Sequence, residues 1–406
     1  MFEARHAISA YWQVRRIRTT RDLRLRQRTR LKKWLQDDVP NVPRYRGFRG
    51  DLADLPVINK ATLMSDFAAF NTIGVDDKAA WAAFDGDKMV GDFIVGASTG
   101  TSGNRGLFVI SQAERYRWLG TILGKALPGF WWQRHRVAVM LPINTPLYDS
   151  ANRTRLLSVR FFDVATDWST DLIDFQPSVI IAPPKILRAI AESDMALAPQ
   201  HIFSGAEQLD PLDRDIIEDR FDLILGQIYM ATEGLMAVTC ACGTLHLAED
   251  VMHFELPQVG DDPFLREVII SDFSRRTQIM ARYRMNDLVR LSDTPCSCGS
   301  PLRAVSEVVG RMDDCFRLGP DRVMITPDLI RNAVVDSDRM ITDFRVVQLA
   351  EDAVSVQTNG STPDAGAALK QLFTTKGLNV SVTSLNTPIT LPRDRKLRRV
   401  ENAFTP

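Results

Sequence analysis

Several things are scarce in this sequence, and each scarcity argues against a class of protein. Net charge is absent: across 406 residues, 50 Lys and Arg are matched by 50 Asp and Glu. A dedicated nucleic-acid binder usually carries a basic excess, so that class is disfavoured. No apolar run approaches the roughly 20 residues that a membrane helix needs. The first residues lack the apolar core of a secretory leader, so a cytoplasmic protein is expected. Cysteine is sparse, at five residues, and a disulfide framework is not expected in such a setting. Internal repeats and low-complexity segments are missing. What remains is 45% hydrophobic and 25% charged, the composition of an ordinary globular chain. The length suggests two or three domains and allows a sizeable core. It leaves monomer and homodimer equally open.

The neutral total hides an asymmetry. Residues 1–50 hold fourteen Lys and Arg against four Asp and Glu, a net of +10, so the remainder sums to −10. Basic residues between Arg15 and Lys33 alternate with Ile17, Leu23, Leu25, Leu31, Trp34 and Leu35, which predicts one amphipathic helix with an Arg-rich outer face. That face is either simply solvated, attracts a polyanion such as a nucleotide-bearing cosubstrate, or belongs to an Arg-rich transit segment.

Further along, short continuous apolar runs alternate with helical patterns. Strands are predicted at Phe93–Gly96, Arg136–Pro142, Ser178–Pro183, His201–Ser204 and Asp222–Gln227. Helices are predicted at Glu114–Leu127, Lys185–Ser193 and Pro211–Arg220. Alternation of this kind points to an α/β fold with mostly parallel sheets layered with helices. After residue 250 the runs shorten, with strands predicted at Val251–Leu256, Glu267–Ser271 and Thr277–Tyr283, suggesting a small antiparallel, barrel-like part. From about residue 312 a small α+β unit follows: a hairpin of Thr342–Leu349 and Ala353–Thr358, a helix at Asp364–Lys376 and a strand at Asn379–Leu385. The expected division is residues 1–311 and 312–406.

The cysteines fall in two tight clusters. Cys240 and Cys242 lie near His246, and Cys296 and Cys298 sit about 50 residues later. Two short Cys/His clusters separated in this way are a common pattern of a structural zinc site, which takes four borderline ligands in a tetrahedron. The expected set is Cys240, His246, Cys296 and Cys298, with Cys242 able to replace one member.

The strongest local signal is Ala97-Ser98-Thr99-Gly100-Thr101-Ser102-Gly103-Asn104, directly after a strand. Small hydroxyl residues and glycines let backbone N–H and side-chain O–H groups wrap phosphate oxygens. The lysine and spacing of a Walker loop are missing. Five further segments follow in order: Ser204-Gly205-Ala206-Glu207, Tyr229-Met230-Ala231-Thr232-Glu233, Tyr283-Arg284-Met285-Asn286-Asp287, Gly310-Arg311-Met312-Asp313-Asp314, and Pro392 to Val400 around Lys396. Together the six resemble, in order, the signatures of the acyl-adenylate-forming superfamily of acyl-CoA synthetases, adenylation domains and luciferases. The Cys/His pattern resembles the branch of phenylacetate–CoA ligases and deazaflavin-coenzyme adenylylating synthetases, which is similar in carrying a structural zinc. The likeness covers roughly residues 90–400.

That resemblance implies ATP, Mg²⁺ and structural Zn²⁺ as cofactors, with CoA or another acceptor for the activated acid. It implies that Ser98, Thr99, Gly100, Thr101, Ser102 and Gly103 hold the β- and γ-phosphates, and that Gly205, Ala206, Glu207, Tyr229, Met230 and Ala231 flank the adenine. Thr232 would touch the α-phosphate, Glu233 would ligate Mg²⁺, Asp287 would accept the ribose hydroxyls and Arg311 would reach ribose or phosphate. Lys396 would bridge the α-phosphate and the acid, and Asp313 would be the hinge of a mobile lid. Met230 and Asn286 stand where glycines are usual, as does Arg395 just before Lys396, and Asn104-Arg105 replaces a residue followed by proline. Phe130, Trp131, Trp132 and Tyr148 are expected either at the acid pocket or in the core. The expected activity is ATP-dependent activation of a small, aromatic carboxylic acid, followed by transfer to CoA. The alternatives are adenylylation without a thiol step and, from a different class, a non-catalytic nucleotide-binding zinc scaffold.

Overall fold

The structure, a computed structural model, describes residues 2–98, 105–141, 156–387, 389 and 398–404. Thr99–Gly103 of the phosphate loop, Tyr148 and Lys396 lie outside the described residues. The chain divides into two compact units. The larger comprises Met1–Met285 with Leu291–Glu307, and the smaller comprises Asn286–Arg290 with Val308–Pro406.

The larger unit opens with two helices, α1 (Phe2–Arg15) and α2 (Thr20–Asp37). One continuous basic helix was expected over 15–33, and the structure breaks it at residues 16–19. The cause is Thr19: its hydroxyl accepts the Asp22 N–H while the Asp22 carboxylate accepts the Thr19 N–H, a reciprocal cap that starts a new helix. On α2, Leu23, Trp34 and Leu35 turn inward and are buried, whereas Leu25 is exposed. Arg26 donates to the Asp250 carbonyl at 2.6 Å, Gln27 to the Glu249 carbonyl at 2.9 Å and Trp34 Nε1 to the Arg275 carbonyl at 2.7 Å.

Two short helices follow, α3 (Lys60–Ser65) and α4 (Asp77–Asp85), then an antiparallel sheet of β1 (Met89–Val90), β2 (Phe93–Ala97) and β3 (Leu107–Ser111). β3 runs into α5 (Gln112–Ala126), which Ser111 and Glu114 cap reciprocally. A parallel set comes next: β4 (His135–Val139), β5 (Leu157–Phe161), β6 (Val179–Ala182), β7 (His201–Gly205) and β8 (Gly226–Ala231). It alternates with α6 (Ser169–Phe175), α7 (Pro184–Ala191) and α8 (Pro211–Phe221). The strand expected at 222–227 starts later because Asp222 takes the left-handed conformation, φ +48°, to close α8.

The antiparallel strands β9 (Gly234–Thr239), β10 (Leu245–Leu247), β11 (His253–Glu255), β12 (Leu265–Ser271), β13 (Tyr283–Leu291) and β14 (Ala304–Arg311) join the same sheet. Its order is β11-β12-β13-β14-β10-β9-β8-β7-β6-β4-β5. No strand forms over 277–282. Glu114, described below, takes the Thr277 N–H, and the segment otherwise pairs with residues 70–72 through an isolated bridge between Gln278 and Asn71.

Alternation along the parallel strands explains why both faces are covered. Val137, Val139, Val179 and Phe203 point to a core shared with α1 and α5, whereas Ala138, Met140, Ile180, Ala182 and Ile202 point to a second core under α6–α8. Apolar side chains at both odd and even positions need a layer on each face. The smaller unit holds a hairpin of β15 (Phe316–Leu318) and β16 (Val323–Ile325), then α9 (Pro327–Val335) and α10 (Thr362–Thr375). A four-stranded sheet completes it, ordered β19-β18-β17-β20, from β17 (Phe344–Ala350), β18 (Ala353–Thr358), β19 (Ser381–Ser384) and β20 (Val400–Asn402). No helix among the described residues is long and apolar enough to cross a membrane.

Helix α1 lies against α5 at backbone distance. A Cβ added at Gly120 would sit 2.0 Å from the Ala7 carbonyl oxygen, and one at Gly124 would sit 2.6 Å from Val14 Cγ2. Backbone cannot move aside as a flexible side chain can. Gly120→Ala is therefore expected to destabilise the larger unit by about 1–3 kcal/mol, the range for an overpacked core. Thermal or urea unfolding of the variant checks this, and unchanged stability would contradict the close packing.

Candidate functional site

The carboxyl ends of β7 and β8 carry two of the motifs side by side, since the strands are parallel neighbours with Gly205 opposite Ile228. In open α/β sheets these ends are where ligands collect. Beyond Ser204-Gly205, Ala206 takes a left-handed φ of +66°, turning the chain sharply off the sheet. The Ser204 hydroxyl is buried and makes no hydrogen bond among the described residues. Glu207 is buried, with the Lys185 ammonium 3.6 Å from its carboxylate, so its charge is already partly matched.

Strand β8 returns into β9 through the shortest possible hairpin. Ala231 pairs with Gly234, and Thr232-Glu233 is the whole loop. A bulge at Tyr229/Met230 adds local twist, and Met230 packs at the margin of the core shared with α5. Gly234 has a φ of +148°, and a Cβ there would meet the Asp272 carboxylate at 2.9 Å. Glu233 is held from two directions. Thr232 Oγ1 donates to Oε2 at 2.7 Å and the buried Tyr283 hydroxyl donates to Oε1 at 2.9 Å. Each carboxylate oxygen keeps a further lone pair for a hard cation.

Three supporting residues carried no motif and were not singled out from the sequence. Arg275 donates from Nη2 to the Thr232 carbonyl at 2.6 Å, lies 3.5 Å from the Asp272 carboxylate, and stacks its guanidinium over Phe108 of β3. It therefore bridges the strand that leaves the phosphate loop and the turn that carries Glu233. Burial pushes the Asp272 carboxyl up, opposed by Arg275 and by hydrogen bonds from Ser274. Glu114, buried at the start of α5, accepts from Ser111, from the N–H groups of Arg276 and Thr277, and from the Thr277 hydroxyl.

The ends of the phosphate loop are fixed although Thr99–Asn104 are outside the described residues. Ser98 N–H donates to the Gly106 carbonyl at 2.8 Å, and Gly106 N–H donates to Ser98 Oγ at 2.7 Å. Arg105 donates to the Ser98 carbonyl and stacks over Trp81 and Phe84 at 4.8 and 5.1 Å. This clamp occupies the place where a proline is usual.

Cys240, His246, Cys296 and Cys298 are brought together, with all ligand atoms within 4.8 Å of one another. Cys240 lies in the turn closed by Gly243 at φ +81°, and the Cys296–Cys298 turn ends at Gly299, φ +69°. The Cys240–Cys296 sulfur separation is 3.7 Å, and Cys298 Sγ is 3.4 Å from His246 Nε2. A tetrahedral zinc with bonds of about 2.3 Å to sulfur and 2.0 Å to nitrogen has edges of about 3.8 and 3.5 Å. His246 Nδ1 faces the Leu302 carbonyl at 2.9 Å, which leaves Nε2 for a metal. Cys242 is exposed and lies outside the cluster, its N–H donating to Cys240 Sγ. Burial pushes the Cys240 thiol up to about 12, whereas hydrogen bonds from Thr244, Cys298 and His246 outweigh burial at Cys296 and hold it down to about 6.

In the smaller unit, Asn286 sits at φ +66°, a conformation asparagine tolerates better than most residues, and its amide donates to Asp313 at 2.6 Å. Asp287 is half-buried on β13, and Arg311, at the end of β14, is exposed. Arg398, two residues beyond Lys396, pairs with the buried Asp314. Of the aromatic residues, Phe130 is in the core, stacked 5.7 Å from His135, while Trp131 and Trp132 line a groove against α1.

No protein-family model matches the chain. Protein CapK of Staphylococcus aureus is 24% identical over 184 residues, a match spanning 42% of this chain and 40% of that protein. The match thus spans only about two fifths of the curated relative's length. Among solved structures, 2-hydroxyisobutyryl-CoA ligase in the postadenylation state, in complex with R3-HIB-AMP, is similar at a TM-score of 0.65 and 16% identity, covering 92% of this chain and 88% of that one. Its open conformation with 2-HIB-AMP and CoA gives 0.58 at 18% identity, over 92% and 90%. ATP-bound MatB from Rhodopseudomonas palustris gives 0.53 at 12% identity, over 76% and 65%. The chain has the fold of the adenylate-forming ligases, with a large and a small unit.

Burial alone would raise the Glu114 carboxyl, but its hydrogen bonds win and hold it below the ordinary 4.5. Stability from a depressed carboxyl is fully present above that ordinary value and is lost as pH falls through the folded one. Melting temperature is therefore expected to fall on acidification below about pH 4.5, the ordinary glutamate value. Glu114→Gln should lower the melting temperature at neutral pH, through a stability loss of about 1–3 kcal/mol for each donor left unmatched, and should flatten that acid slope. A pH series of thermal melts on both proteins checks it. Parallel slopes would remove Glu114 as the anchor.

Proposed function

We propose that the protein is an ATP-dependent ligase that activates a small apolar carboxylic acid as its acyl-adenylate, releases pyrophosphate, and passes the acyl group to CoA. The observation that carries this reading is the juxtaposition, at the ends of adjacent parallel strands, of Ser204–Glu207 and the braced Thr232-Glu233 turn, within a fold shared with acyl-CoA ligases.

The chemical problem is electrostatic, because a carboxylate must approach a polyanion while charge builds on the transferred phosphoryl group. Thr99–Gly103 hold the β- and γ-phosphates, Gly205–Glu207 and Tyr229–Ala231 flank the adenine, and Asp287 accepts the ribose hydroxyls. Arg311 reaches ribose or phosphate. Glu233 is the Mg²⁺ ligand, aimed by the Thr232 and Tyr283 hydroxyls, and Thr232 also meets the α-phosphate. When bound, Mg²⁺ supplies charge neutralisation on the phosphates. Lys396 joins the acid and the α-phosphate as a compact point charge. Zn²⁺ at Cys240, His246, Cys296 and Cys298 is structural: four protein ligands close the site and leave no open position for chemistry. The cytoplasm suits both ATP chemistry and reduced thiols.

An apolar cavity of about 70 Å³ lies between α5 and the parallel strands, lined by residues including Leu119, Ile122, Val139, Ile181, Phe203 and Ile228. Phe203 and Ile228 immediately precede Ser204 and Tyr229, so the cavity adjoins the site. It is smaller than the roughly 150 Å³ apolar cavity that accepts benzene. A cavity of this size favours a short aliphatic chain, and an aromatic acid would need side chains to move.

ATP–pyrophosphate exchange across benzoate, phenylacetate and short branched aliphatic acids tests the reading. Exchange with at least one acid, and CoA-dependent consumption of the adenylate seen by mass spectrometry, is expected. Exchange without thiol-dependent loss would favour adenylylation alone, and ATP binding without any exchange would favour the scaffold. Residues 312–406 are proposed as the lid, hinged at Asp313. Asp313→Pro should spare adenylation and block the thioester step, and equal loss of both would sink the hinge.

Metal analysis should find about one zinc per chain for a closed site of this kind. The double variant Cys296→Ser and Cys298→Ser should lose it, and full metal content in that variant would exclude the two thiolates as ligands.

A further inference from the structure

None of the motif segments that carry the adenylation reading lies in the basic N-terminal stretch. Residues 1–50 carry +10 in a neutral chain, and the structure gathers part of that charge at one place. Trp12 and Arg15 of α1, with Arg16 and Arg18 of the link to α2, line an open groove of about 610 Å³ whose opposite wall includes Trp131 and Trp132. The guanidinium groups of Arg15, Arg16 and Arg18 make no ion pair among the described residues. Trp132 is 88% exposed and Trp12 47%. Two indoles this open to water beside unpaired arginines are unusual on a surface with no partner.

The floor under them is rigid. Tyr11 is buried, its hydroxyl donates to the Pro128 carbonyl at 2.6 Å, and its ring meets Trp12 and Trp131 edge-on at 5.2 and 5.6 Å. The glycine-mediated contact of α1 with α5 fixes the same stretch. The indoles are therefore presented by packed structure and not by a loose terminus.

A small anion in the groove would satisfy the arginines and leave most of Trp132 in water. A boundary that offers phosphates and an apolar layer together satisfies both, and Trp and Arg are the side chains that suit such a boundary. The +10 of residues 1–50 against the −10 of the remainder would also orient the molecule, N-terminal segment first, toward an anionic surface. We propose that this groove docks the protein on anionic phospholipid: Trp12 and Trp132 enter the headgroup layer, and Arg15, Arg16 and Arg18 hold phosphates. The proposal is independent of the adenylation reading.

The test is co-sedimentation of the full-length protein with vesicles of phosphatidylcholine alone and of equal parts phosphatidylcholine and phosphatidylglycerol. Binding to the mixed vesicles should exceed that to the neutral ones by about tenfold or more and weaken as salt is raised. Arg16→Glu with Arg18→Glu should reduce it by about fivefold or more for each residue changed. Trp132→Ala should reduce it several-fold and remove part of the blue shift in tryptophan fluorescence on binding. Circular dichroism and pyrophosphate exchange should be unchanged in these surface variants. Three outcomes would overturn the proposal: equal or no binding to the two vesicle types, full displacement from vesicles by millimolar glycerol phosphate, which would mark a small-anion site, and a dimer in light scattering that Trp132→Ala dissociates, which would mark an interface between copies of the chain.

Discussion

Everything in the larger unit depends on a parallel sheet that is apolar on both faces. Val137, Val139, Val179 and Phe203 must be covered on one side, and Ala138, Met140, Ile180 and Ile202 on the other. Coverage from both sides leaves the strand ends as the place where polar groups can meet solvent and ligand. Ser204–Glu207 and Thr232-Glu233 stand there because β7 and β8 stop there. The same constraint draws α1 onto α5. The outer helix reaches backbone contact only because Gly120 and Gly124 offer no side chain, and the apolar cavity beside the site lies under α5.

Buried carboxylates then tie distant segments to that frame, and counting donors decides which way each one shifts. Glu114 and Asp272 are both buried, so desolvation pushes both up. Glu114 collects donors from Ser111, Arg276 and Thr277 and ends below its ordinary value, whereas Asp272 has Arg275 and Ser274 and stays above. One therefore acts as a fixed negative anchor for the 276–278 segment, and the other as a weaker partner that keeps Arg275 against the Thr232 carbonyl. In the antiparallel half, two glycine-closed turns and a buried strand bring three sulfurs and one imidazole to tetrahedral spacing.

Much of this was legible in the sequence. Continuous apolar runs located β6 and β7 within one residue at either end and β4 within three, because a strand buried on both faces has few polar positions to blur its limits. The Cys/His cluster followed from spacing and from the family resemblance, although Cys242 could be set aside only once its exposure was known. The amphipathic pattern of 15–33 was misleading because the local cap at Thr19 competes with helix continuation, and periodicity does not register a cap. The strand expected over 277–283 was lost because Glu114, more than 160 residues away in sequence, takes the Thr277 N–H, while Thr277 and Ile279 pair with Thr72 and Phe70 at an isolated bridge.

The sequence by itself determined the order of layers, the two-faced sheet, the Cys/His set and the motifs that ride on strand ends, since these follow from periodicity and from side-chain chemistry carried by single short segments. Only the tertiary structure decided that Tyr283 and Thr232 aim Glu233, that Arg275 and Glu114 hold its surroundings, that Arg105 bonds Ser98 and stacks on Trp81 and Phe84, and that Trp132 stands in solvent beside three arginines with no ion pair among the described residues. Each is a meeting of residues from separate segments, and such meetings depend on how packed layers bring those segments together, which no local pattern encodes.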